Sequence, residues 1–167
     1  YNLQPWEVIV VQNPERKKEL RKHAFNQPKV EEASTVFIII ANPVAVEENI
    51  DQVMANRVKQ GYMTEEQAEK GKKVPFGLYG DKDSLTRKVF AVKNTGFFAM
   101  SVMIAAKALG FESHPMDGID SECIKEAFGI SKEKIIPLII AVGYPAKDLE
   151  LKERPLRREL DEFVRYE

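Results

Sequence analysis

The chain has 167 residues, about one domain's worth, and its 44% apolar and 31% charged residues exclude a disordered polymer. Its 25 Lys and Arg nearly balance 26 Asp and Glu, so no global field draws it to nucleic acid or an anionic membrane. One cysteine, Cys123, excludes an internal disulfide, and with only His23 and His114 beside it the sequence argues against a metal centre.

In chain order, the β-branched run over 7–12 predicts a strand, and Asn13-Pro14 then predicts the capped start of a helix over 15–23. Residues 24–32, with Asn26, Pro28 and Lys29, read as a loop with at most one helical turn. The apolar segment TVFIIIA over 35–41 predicts a central strand buried on both faces. A helix over 47–59 follows, its stripe formed by Ile50, Val53, Met54 and Val58, and Thr64 to Gln67 has the spacing of a capping box. Residues 74–83, punctuated by Pro75, Gly77 and Gly80, read as a loop. The charged excursion 47–84 is the least core-like part of the chain, either a solvated hairpin or a lid over a pocket mouth.

Ser84 predicts the cap of a long helix ending near Leu109, apolar on nearly all sides after Phe97 and therefore expected to be buried and central. Gly110 closes it, and 111–116 predicts a short strand. Asp117-Gly118 forms a turn, Asp120 caps a helix ending at Gly129, and 136–142 predicts another buried strand. The tail over 152–167 is charged, with spaced Leu156, Leu160, Phe163 and Val164. Strands interleaved with helices give a single domain with a sheet covered on both faces. No apolar run is expected to reach the ~20 residues of a membrane span, and no signal peptide is visible. The expectation is a cytoplasmic protein. The sequence begins at Tyr1 without methionine and runs at once into a strand, which reads as a start within a longer protein.

Several segments carry a resemblance. Asn2-Leu3-Gln4-Pro5-Trp6 before a Val/Ile strand resembles the N-x-Q-P-W segment of the FMN-dependent nitroreductase family. Phe25-Asn26-Gln27-Pro28-Lys29 with Ala33-Ser34 is similar to its second flavin segment, and 105–113 to its central helix and next strand. Pro115-Met116-Asp117-Gly118 stands where members have Pro-x-Glu/Asp-Gly, and Val142-Gly143-Tyr144-Pro145 resembles the closing strand. Arg157-Arg158, with the following 160–164, is similar to the basic C-terminal signature. One family feature, a leading helix with an Arg-x-Ser-x-Arg-like segment on the flavin phosphate, has no counterpart before Asn2.

The resemblance implies an α+β fold, a three-layer α/β/α sandwich whose mixed, mostly antiparallel sheet lies around a buried central helix. It implies FMN, with NAD(P)H as electron donor, in a homodimer whose flavin sites lie at the interface. By the same resemblance Lys29 is the cation near the flavin's N1 and O2, and Asn26 meets the pyrimidine edge with a donor and an acceptor. Backbone N–H groups at Asp117 and Gly118 serve N5, while Pro115 and Met116 line the ring. Arg157 and Arg158 hold the phosphate, and Asn2 and Gln4 reach the cofactor from the partner subunit. Phe76, Leu78 and Tyr79 are expected to contact substrate. The chemistry implied is ping-pong hydride transfer to a small-molecule electron acceptor such as a nitroaromatic or quinone. A different reaction of the same superfamily, such as reductive dehalogenation, and a non-enzymatic binding module remain alternatives. Each residue also has a plain alternative: a solvent lysine, a turn asparagine, an Asp-Gly turn, a charged tail.

Overall fold

The computed structural model describes residues 1–146, 149–150 and 153–167. Four strands form one sheet in the order β1-β2-β4-β3: β1 (Trp6–Val11), β2 (Thr35–Ala41), β3 (Glu112–Met116) and β4 (Ile135–Gly143). All three pairings among the described residues are antiparallel, in keeping with the mostly antiparallel sheet expected. β2 and β4 sit in the middle, which is why their sequences are nearly unbroken apolar runs.

The alternation of side chains across these strands separates two cores. Val36, Ile38 and Ile40 of β2, with Ile139 and Ala141 of β4, face one layer. That layer is α1 (Pro14–Lys22), α2 (Pro28–Glu32) and α7 (Ser121–Phe128), which contribute Leu20, Val30 and Ile124. Ile39, Ile140 and Val142 face the opposite layer, where α6 (Leu85–Ala108) supplies Ala99 and Ala106. Helix, sheet, helix is the three-layer arrangement that the sequence implied. A third cluster joins Leu3 and Phe90 to α3 (Ala45–Lys59) and α4 (Glu65–Gly71) at the end of the sandwich.

The caps form as read: Asn13 accepts from the N–H groups of Glu15 and Arg16, and Thr64 and Gln67 complete a reciprocal capping box. Gly129 ends α7 at φ +66°, a left-handed cap that suits glycine. Two segments expected as loops are short helices instead, α2 and α5 (Val74–Tyr79). Both carry proline in the first turn, where the missing N–H breaks no bond.

α6 departs from its expected burial in an instructive way. Its inner face is buried through Phe90, Ala91, Thr95, Ala99 and Ala106, but Leu85, Val89, Phe97, Met100 and Ile104 are more than half exposed. The expectation that no apolar stretch reaches span length is corrected here too. By length and composition this helix holds an 18-residue stretch apolar enough to cross a membrane, although its inner face is seated on the sheet.

Candidate functional site

The segment between α1 and α2 is built to hold an unusual backbone. After α1 the chain turns through hydrogen bonds from Ala24 N–H and Asn26 N–H to the Arg21 carbonyl. Arg21 Nε donates back to the Asn26 carbonyl at 3.2 Å, and its guanidinium pairs with Glu31 at 2.8 Å. Phe25 and Asn26 are thereby held at φ +48° and +59°, left-handed values that cost non-glycine residues about 1 kcal/mol or more each. Gln27-Pro28 then opens α2, with Lys29 in its first turn.

This turn meets the end of β3. Asp120 N–H donates to the His23 carbonyl at 2.7 Å, and a Cβ on Gly118 would stand 3.9 Å from the Phe25 ring. Phe25 is 71% exposed, an aromatic ring kept in solvent beside the turn. Lys29 lies close enough to His114 for its charge to act on that imidazole. Burial first, and the Lys29 charge second, hold His114 below its ordinary value, as neutral imidazole. Asn26, Lys29, Pro115, Asp117 and Gly118 thus come from two distant segments into one neighbourhood. Among the described residues the Asn26 amide and the Lys29 ammonium have no hydrogen-bond or ion-pair partner, so donor, acceptor and cation are all available. That set matches the edge of a flavin pyrimidine ring. The Met116 side chain packs into the core with Ile124 and Ile139, leaving only its backbone for the site.

The thiol of Cys123 sits nearby without a role in this chemistry. Its hydrogen bond to Asp120, then burial and the charges of Asp120, Glu126 and Glu122, push it upward, keeping it protonated and a poor nucleophile. Among the described residues no group of three or more His, Cys, Asp or Glu side chains is arranged to hold a metal ion.

Asn2 and Gln4 lie elsewhere. Both have positive φ, +55° and +48°, and the segment is pinned where Asn49 Nδ2 donates to the Leu3 carbonyl and Thr95 Oγ1 to that of Pro5. They line a cavity of about 310 Å³ with Trp6, Tyr79, Phe90 and Phe97. Tyr79 stacks on Phe90 with centroids 3.9 Å apart, and Trp6 stacks on Phe98 at 5.3 Å. Phe76 and Leu78 are partly exposed on α5 and do not line that cavity. The segment before β1 and the turn after β3 leave the sheet at its two opposite edges. Three strand spacings of about 4.8 Å separate these two edge strands by roughly 14 Å.

Arg157 and Arg158 are exposed on the tail. Arg157 donates to the Pro155 carbonyl at 2.6 Å, and the Arg158 guanidinium lies over Phe163 at 5.4 Å. Every hydrogen bond and ion pair of 153–167 among the described residues is internal to that segment. Lys152, a neighbouring basic residue that the sequence also offers for the phosphate, falls outside the described residues. Sequence reasoning passed over Phe25 and Arg87. An aromatic residue before a loop asparagine, and an arginine three positions after a serine cap, were the available signals.

Comparison with known proteins bears on this arrangement. Residues 1–144 match the family model described as the Nitroreductase family. The chain is 32% identical over 148 residues to a Thermus thermophilus protein named NADH dehydrogenase, covering 89% of this chain and 70% of that one. It is 30% identical over 154 residues to a Bacillus subtilis protein named as an NAD(P)H nitroreductase, YodC, covering 92% and 75%. A nitroreductase structure from Exiguobacterium sibiricum, solved in complex with FMN, superposes with a TM-score of 0.85 at 24% identity, covering 99% of this chain and 78% of that one.

Proposed function

The chain belongs to the Nitroreductase family, and on that premise we propose that it is an FMN-dependent oxidoreductase moving hydride from NAD(P)H to an electron-poor small molecule. When bound, FMN supplies reversible hydride transfer at N5 between donor and acceptor. The chain's own residues bind and orient. Asn26 offers an amide to the pyrimidine edge, Lys29 places a cation beside N1 and O2, and the backbone N–H groups of Asp117 and Gly118 donate near N5. The observation that carries this reading is the meeting of the strained Phe25-Asn26 turn with Gly118, the Lys29 ammonium, unpaired among the described residues, alongside.

The rest of the site comes from a second copy. Leu85, Val89, Phe97, Met100 and Ile104 make an apolar stripe on the outer face of α6, and the tail exposes Leu156, Leu160, Phe163 and Tyr166. An apolar surface of that extent marks an association face. In a cytoplasmic homodimer built on it, Asn2 and Gln4 of one copy approach the Lys29 region of the other, and Arg157 and Arg158 reach the phosphate as the tail wraps its partner. The 47–84 excursion, with Tyr79, walls the pocket mouth. Donor and acceptor use the same open face in turn, so turnover is ping-pong. Steady-state turnover of menadione and nitrofurazone with NADH and NADPH tests this. Parallel lines in double-reciprocal plots are expected, and intersecting lines or no turnover contradict the reading.

A further inference from the structure

Among the described residues, Arg87 is the one charged side chain with no exposed surface. It sits three residues after the Ser84 cap, where the helix dipole disfavours a cation. Burying a guanidinium there is costly unless its donors are engaged, and they are engaged by the excursion. Nη1 donates to the Pro43 carbonyl at 3.1 Å and pairs with Glu47 at 2.6 Å, both where the excursion leaves the sheet. Nη2 donates to the Gly80 carbonyl, where the excursion returns. The Phe76 ring lies 5.9 Å from its central carbon, and only Nε lacks a partner. One side chain therefore fastens both ends of a segment that holds α3, α4 and α5. Gly80 follows Tyr79, and Phe90, on which Tyr79 stacks, stands one turn after Arg87 on α6.

We propose that Arg87 is a positioning residue that sets acceptor specificity: its fork holds α5 so that Tyr79 forms a fixed wall of the acceptor pocket. Its effect passes through Gly80 and Tyr79, and it touches neither cofactor nor acceptor. The inference rests on the oxidoreductase reading above, and its experiment separates the two. Arg87→Lys keeps the charge and the pair with Glu47 but loses the two-pronged reach to Gly80. Amide hydrogen exchange over 65–80 should quicken at least tenfold in this variant, and the KM for menadione should rise at least threefold with kcat within twofold. Arg16→Ala serves as the control for plain destabilisation. It breaks contacts to Ala127 and Phe128 in the other helical layer and should change neither quantity. Glu47→Gln, which keeps the shape and removes the charge, should shift both in the same direction by less, and it decides the matter if Arg87→Lys does not fold. Unchanged exchange overturns the latch. Faster exchange with an unchanged KM, or an equal KM rise in Arg16→Ala, overturns the specificity role. If the wild-type protein reduces no acceptor, the oxidoreductase reading fails, while the exchange measurement still decides whether Arg87 holds α5.

Discussion

Burial, and after it the charge of the Lys29 ammonium, opposes protonation of the His114 imidazole. The folded-state value of His114 lies below the unfolded one, near 6.5, so the folded protein binds this proton less readily. Stability from neutral His114 is therefore complete above that value and falls as the pH drops through it, until the folded imidazole also protonates. Wild-type protein should lose more stability between about pH 7.5 and 5.5 than His114→Gln, as read from urea midpoints. Lys29→Ala should raise the His114 titration seen by NMR only part of the way, since burial is the larger cause. The same substitution should lower the two-electron potential of bound FMN, measured by dye equilibration, because a cation at the position proposed for Lys29 would favour added negative charge. An unchanged potential removes Lys29 from the site.

At the scale of elements, the central strands carry the stability. Ile39 is fully buried between β4 and α6, and Ile39→Ala should cost roughly 2–5 kcal/mol in urea unfolding. A loss below about 1 kcal/mol contradicts that placement. The strands, the caps and the long helix were legible because apolar runs, Asn13, Thr64, Ser84 and Asp120 act locally. α2 and α5 were not, because Pro28 and Pro75 read as punctuation although proline is tolerated in a first helical turn. Among the candidate site residues, Asn26, Lys29 and Gly118 were named through motifs, and the structure sets Gly118 against Phe25 and Lys29 near His114. The Met116 side chain shares a motif with Gly118 but is turned into the core by strand alternation, which a motif alone does not encode. In the proposed dimer the tail is the element whose role depends most on the second copy. Arg157→Ala with Arg158→Ala should weaken FMN affinity, by fluorescence titration, while leaving Ile39-dependent stability unchanged.

For the whole molecule, the pattern of α6 shows where sequence reading stops. A helix that is apolar on nearly all sides announces burial but not whether the cover comes from its own chain or another. Met100→Glu, on the exposed stripe, should shift the molecular mass measured by light scattering from dimer to monomer and weaken FMN binding with it. The central proposal is that the turn at Phe25-Asn26, the Lys29 ammonium and the Asp117-Gly118 backbone clasp a flavin that nicotinamide can reduce. An anaerobic titration measures this directly. Protein given FMN should hold one per chain, with a band at about 450 nm that NADH or NADPH bleaches; a protein that stays colourless after added FMN, or stays yellow with both nicotinamides, contradicts it.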